Sequence, residues 1–258
     1  MNIEKSIKRF NAYVNDYDTS NGSIQLKIIH TNKVMMLSNQ IAKGLNLSQE
    51  DIQLATLIGL LHDIGRFDEI KLCSHMGLGN FNHATHGVKL LFEENLIRDF
   101  IEDDKFDDII KFAIDNHSKY QIKSTSDKRM LLHAKIIRDA DKLDIYRVKL
   151  EGDFASIQKG LTEKKLKTSC ISDEIMIAIN NHQSINRSIV KTYLDEWLLG
   201  IAMVFDINFP ISFKILKDNN YIDKILNRVD YTNSTTKENI NQIQTIVNNY
   251  IDININKN

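Results

Sequence analysis

Apolar residues recur at intervals of three and four along almost the whole chain, and strict apolar–polar alternation never lasts more than a few positions. That spacing lines up one stripe of a 3.6-residue helix and does not suit a strand. It predicts helices over 2–15, 24–44, 49–63, 83–102, 105–117, 128–149, 173–180, 187–206, 210–217, 220–228 and 235–251. Gly44 followed by Asn46 reads as a helix stop, and Ser48 with Asp51 three residues later reads as the N-cap of the next helix. From Asp68 to Asn82 the periodicity lapses and a loop is expected, of a length that in a compact domain often carries function. With one proline, Pro210, and ten glycines, little else interrupts the pattern, and the fold class is all-α. The Asn- and Ile-rich tail is biased in composition, and its last residues are expected to fray.

Several of the apolar stripes carry a polar residue where an aliphatic one belongs. His30 shares a line with Val34, Leu37 and Ile41. His62 lines up with Ala55, Ile58 and Gly59, with Asp63 beside it. His117 ends the stripe Phe106, Ile109, Ile110, Ala113, Ile114, and Asp141 shares a face with Ala134, Ile137, Ile145 and Val148. His83 opens a helix whose inner side continues through Gly87, Leu90 and Leu91, with His86 one turn along. Taken singly, an inward histidine is a hydrogen-bonded core residue more often than a ligand. Burying unpaired groups of this kind costs on the order of several kcal/mol each, and groups that all donate lone pairs, buried on five helices, call for a shared cation. Histidine nitrogen with carboxylate oxygen and no thiolate suits Fe, Mn, Ni, Co or Zn, and Mg less well. The set exceeds what one tetrahedral ion takes, which suggests two ions with Asp63 between them.

Composition narrows the field. The 258 residues, 42 % hydrophobic, suffice for a sizeable core, and 33 basic against 34 acidic residues argue against a protein that relies on charge to bind nucleic acid or a membrane surface. The basic stretch "EKKLKTS" lacks interleaved aromatics and reads as a solvated helix face. Cys73 and Cys170 show no paired spacing, so neither a disulfide framework nor a cysteine metal knuckle is expected. "MNIEKSIKRF" has no apolar signal core and no run approaches the length of a membrane span, so a cytoplasmic protein is expected. Seven of the eight histidines precede Leu150, His182 being the exception. Residues 1–150 are therefore read as a metal-binding catalytic core and 151–258 as a helical extension packed on it. Trp197 and "LLGIAMVF" would make that packing or a homodimer contact.

"LLHDIGR", "NHATHGVKLL", "AIDNHSKY" and "IIRDADKLD", preceded by His30, together resemble the HD superfamily of metal-dependent phosphohydrolases, named for the adjacent His-Asp pair. The resemblance spans roughly residues 24–150 and implies an HD-like helical bundle. Carried over residue by residue, it implies that His30, His62, Asp63 and Asp141 hold a first ion, and that His83 and His117 complete a second with Asp63 bridging. The family's four-residue spacing to Gly87 selects His83 over His86, and its aspartate just before Lys142 selects Asp141 over Asp139 and Asp144, which periodicity alone does not separate. His86 would lie around the ligands or face substrate.

The activity so implied is hydrolysis of a phosphoester, of a nucleotide or another small phosphorylated molecule, with Asp63 and Arg66 at the chemistry. Gly65 would end the helix so that Arg66 turns to substrate, and Arg138, Lys142 and Arg147 are further candidates to orient the phosphate. For each of these cations the plain alternative is a surface ion pair, which for Arg138, Lys142 and Arg147 is the commoner outcome. Two other functions remain open: the di-iron oxygenase branch of the same superfamily, distinguished by oxygen uptake, and a nucleotide sensor without turnover.

Overall fold

The computed structural model describes residues 1–76, 81–158 and 160–257, the side chains of 73–76 excepted, and every regular element among them is helical. The chain divides into two compact units, Met1–Asp141 and Lys142–Asn258, and the division falls inside one long helix. The first unit holds α1 (Ile3–Val14), α2 (Gly22–Gly44), α3 (Gln49–Leu61), α4 (Arg66–Met76), α5 (His83–Val88), α6 (Asp107–Asn116) and the start of α7 (Lys128–Glu151).

The α2–α3 connection follows from its sequence. Asn46 takes the left-handed conformation at φ 54°, the Leu47 amide bonds Ala42 O at 3.2 Å and the Asn46 amide bonds Lys43 O at 3.0 Å, which is a Schellman closure. Ser48 then caps α3 by accepting from the Asp51 amide at 3.1 Å. The two helices meet closely at Gly59, where a Cβ would lie 2.7 Å from Ser38 Oγ and 2.9 Å from Met35 Cα. This contact sets His30 on α2 beside the C-terminal end of α3.

The expected loop from Asp68 is instead helix as far as Met76, and residues 77–80 lie outside the described residues. α4 escaped the periodicity because Phe67 is the fully buried anchor among its described side chains, packed edge-on against Phe10 and Tyr13 of α1 at ring-centroid distances of 5.9 and 6.2 Å. Around Phe67 the helix is charged or only half-buried. The expected helix 83–102 is also divided: α5 gives way to a π-turn at Lys89–Glu93, and Asn95, left-handed at φ 61°, starts a separate 3-10 turn at Leu96–Asp99.

In the second unit α7 is followed by α8 (Phe154–Ile157), α9 (Glu163–Thr168), α10 (Asp173–Asn180), α11 (Tyr193–Ala202), α12 (Pro210–Asp218), α13 (Tyr221–Leu226) and α14 (Ser234–Ile255). The helix expected over 187–206 is broken into a 3-10 turn at Arg187–Ile189, α11 and a second 3-10 turn at Met203–Asp206, because Thr192 and Asp195 form a capping box that starts α11 afresh. α14 stays helical to Ile255, four residues beyond the expected end, held by the buried stripe Ile240, Ile243, Val247, Ile251. α8 was not foreseen, and α9 falls on the basic stretch expected to be a solvated helix face but was not placed among the expected helices. They span four and six residues, too few to show a helical period.

Trp197, fully buried, anchors this unit. Phe154 packs on it at 5.6 Å, and Lys149 places Nζ 4.5 Å from the indole centroid and 3.4 Å from Trp197 O, to which it donates. Burial pushes the Lys149 pKa down to about 8. A lysine whose folded pKa lies below its unfolded value destabilises the fold when charged, at roughly 1.4 kcal/mol per unit. Lys149→Met, close in volume, is therefore expected to stabilise the protein at pH 7 by about 2–3 kcal/mol, less what the cation–π contact returns. The advantage should shrink as pH rises from about 8 towards the unfolded value of 10.5, because the wild-type lysine then folds without its charge. Denaturant melts at pH 7 and pH 10 measure this, and a Lys149→Met protein less stable at pH 7 would refute it.

Candidate metal centre

Six side chains from five segments converge in the first unit. His30 comes from the inner stripe of α2. His62 and Asp63 come from the turn that closes α3, where Ile64 N bonds Leu61 O at 3.1 Å and Arg66 N bonds Asp63 O at 2.9 Å before α4 begins. His83 opens α5 behind the Asn82 cap, His117 follows α6, and Asp141 lies on α7. His30, His62, Asp63, His83 and His117 are all buried, and the Asp141 side chain is 17 % exposed.

Asp63 divides the set. On its Oδ2 side stand His30 Nε2 at 3.8 Å and His62 Nε2 at 3.9 Å, and these two nitrogens lie 3.1 and 4.0 Å from Asp141 Oδ1. On its Oδ1 side stand His83 Nε2 at 3.4 Å and His117 Nε2 at 3.6 Å. One carboxylate thus faces two histidine pairs with different oxygens.

The imidazole tautomers follow from their outer partners. His62 Nδ1 lies 2.8 Å from Gly59 O and His117 Nδ1 lies 2.7 Å from Ile114 O. A carbonyl only accepts, so each Nδ1 carries the proton and each Nε2 turns a lone pair inward. His83 Nε2 accepts from Arg66 Nη2 at 3.0 Å, while its Nδ1 faces Glu69 Oε2 at 3.8 Å. The His83 and His117 Nε2 atoms, both acceptors, then face each other at 3.3 Å. Two lone pairs at that separation repel unless a cation lies between or beside them.

His62 Nε2 and Asp63 Oδ1 are buried without a hydrogen-bond partner among the described residues. The triads His30–His62–Asp141 and His62–Asp63–His117 each bring their ligand atoms within 4.8 Å of one another. The donor set fits one or two divalent ions of the nitrogen- and oxygen-binding kind.

The electrostatics keep the ligands in their binding forms. Burial pushes the His62 pKa down to about 4 and that of His83 to about 3, against the pull of Asp63, so both rings stay neutral. Burial alone would raise Asp63, but the charges of Lys27 and Arg66 hold it well below the carboxylate range. Asp141 is likewise held low despite its burial, chiefly by the hydrogen bond and charge of His30.

The remaining expected site residues divide. Arg66 lies in the centre, with Nε 3.7 Å from Asp63 Oδ1 and Nη1 braced by Glu69 Oε2 at 2.5 Å. His86 bonds Asp68 Oδ2 at 2.7 Å, at the head of a chain that continues to Tyr17 and Tyr13. Arg138, expected to face substrate, is corrected to a capping role. It is 3 % exposed and donates to Asn116 O at 3.0 Å, His117 O at 3.2 Å, Lys119 O and Tyr120 O at 3.3 Å, satisfying the carbonyls left open where α6 ends. In the second unit Lys142 pairs with Asp206 at 2.8 Å, and Arg147 forks Asp144 at 2.6 and 3.0 Å and reaches Glu151 at 2.7 Å. Two site residues went unforeseen. Lys27 reaches Asp63 Oδ2 at 3.3 Å, and its place three residues before His30 on one helix face was a usable signal. Glu69 fell in the segment expected to be a loop.

Residues 28–146 match the family model of the HD domain, from just before His30 to just beyond Asp141. The chain carries an HD domain. A search of curated proteins and a search of solved structures each returned no match. The family is commonly one of metal-dependent phosphohydrolases, so the match supports a metal-dependent hydrolase type of activity. No described helix of this HD protein is long and apolar enough to cross a membrane.

Proposed function

We propose that this HD domain hydrolyses a phosphoester of a small molecule, a nucleotide being the first class to try, with two divalent transition ions held by His30, His62 and Asp141 on one side and His83 and His117 on the other, Asp63 bridging. The observation that carries the reading is the division of Asp63, whose two oxygens face two separate pairs of histidine Nε2 atoms. Bound ions would supply a nucleophilic water near neutral pH and offset the charge of the phosphate.

The protein does the rest. Gly59 O and Ile114 O hold His62 and His117 in the one tautomer that presents Nε2 inward. Arg66, 28 % exposed and held by Glu69, would turn its Nη2 donor to a phosphate oxygen once an ion takes the His83 lone pair it now bonds. Its placement suits a group whose negative charge grows towards the leaving oxygen.

A phosphate-release screen over nucleoside mono-, di- and triphosphates and simple phosphoesters, with Mn, Co, Ni, Fe and Zn, tests the reading. Release with at least one metal, lost on chelation, is expected. Silence under every metal, with oxygen uptake on an organic substrate, would overturn it.

A further inference from the structure

Among the described residues, Lys27 is a centre-facing cation without a task in the proposed hydrolysis. It lies on α2 one turn before His30, its side chain is 26 % exposed, and its Nζ stands 3.3 Å from Asp63 Oδ2. Asp63 is its ion-pair partner among the described residues. Arg66 differs, since it keeps Glu69 as a second carboxylate whatever happens at Asp63. The two cations stand on opposite oxygens of the same aspartate, Lys27 with Oδ2 and Arg66 with Oδ1.

Asp63 Oδ2 is also the oxygen that faces His30 and His62. An ammonium and a divalent ion cannot both keep close contact with one buried oxygen, because two like charges at such range repel strongly where solvent is excluded. When Oδ2 is given over to an ion, Lys27 loses its partner. Its four-carbon stem lets Nζ turn away while the charge remains beside the centre.

We propose that Lys27 changes partner with metal loading: it pairs with Asp63 in the metal-free protein and is released in the loaded protein to bind an oxygen of the substrate's phosphate, opposite Arg66. This rests on the phosphohydrolase reading. It makes metal entry and anion binding two stages of one exchange, with Lys27 competing against the first and serving the second.

The test uses the full chain as Lys27→Met and Lys27→Arg, with folding checked by circular dichroism. Mn(II) is titrated into metal-free protein by calorimetry, and inorganic phosphate is then titrated into the Mn-loaded protein. Lys27→Met should bind Mn(II) about tenfold more tightly, because a competing charge is gone, and bind phosphate about tenfold or more weakly, the loss expected for one charged hydrogen bond. Lys27→Arg should retain most of the phosphate affinity. Weaker Mn(II) binding by Lys27→Met, or phosphate affinity equal to wild type, would overturn the exchange and leave Lys27 a simple brace for Asp63, with the phosphohydrolase reading intact. Failure of loaded wild-type protein to bind phosphate, together with silence in the release screen, would instead remove that reading and the exchange with it.

Discussion

Asp63→Ala is expected to abolish phosphate release and to remove both ions, not one. The carboxylate is 3 % exposed and lies within 4 Å of His30, His62, His83 and His117, so no water or neighbouring side chain can replace both of its oxygens. Its loss also leaves Lys27 and Arg66 facing the histidines without the charge that offset them. Activated water and phosphate neutralisation together are worth several kcal/mol, and each 1.4 kcal/mol is tenfold in rate, so the fall in kcat/KM should be about a thousandfold or more. Steady-state kinetics at saturating metal measures it. Retention of a tenth of wild-type activity would mean that Asp63 does not bridge.

Gly65→Ala should give the second large effect, for a reason invisible in the chain's local pattern. A Cβ at this position would lie 2.4 Å from His83 O and 2.6 Å from Gly87 N. Both are backbone atoms and cannot swing aside. α5 would have to move away from the turn after α3, taking His83 out of reach of Asp63 Oδ1. Overpacking of this kind costs about 1–3 kcal/mol, which for a chain of this size lowers Tm by roughly 2–12 °C. The ion on the His83–His117 side should bind tens of times more weakly, while that on the His30–Asp141 side is kept. Gly87→Ala is the milder control, its Cβ meeting Gly65 N and the flexible Ile64 Cγ2 at 3.3 Å. Unchanged melting and unchanged metal titration for Gly65→Ala would show that this approach is not tight.

The difference between those two residues shows what the sequence could disclose. Asp63 was legible because its neighbours His30, His62, His117 and Asp141 lie on apolar stripes, and a buried polar residue breaks a pattern that the eye can follow. Gly65 reads equally well as a helix stop, and only the fold shows that it is the space left for the α5 backbone. Arg138 misleads in the opposite sense: a basic residue three before a ligand aspartate looks like a phosphate binder, whereas its partners are the carbonyls that end α6, about twenty positions back along the chain. Lys27 occupies a half-exposed helix position where lysine is ordinary, so its place one turn before His30 was the one mark it carried before Asp63 Oδ2 was found beside it. Glu69 was hidden by α4, where Phe67 alone is buried among the described side chains and leaves no stripe to recognise.

The central claim is that one aspartate joins two ion sites with different histidines, and metal stoichiometry tests it most directly. Protein prepared without chelator and loaded with Mn(II), Co(II) or Fe(II) is measured by elemental analysis as wild type, His117→Ala and Asp63→Ala. About two ions, about one and none are expected, respectively, in line with separate pairs on Oδ1 and Oδ2. The same metal content in all three proteins would contradict it.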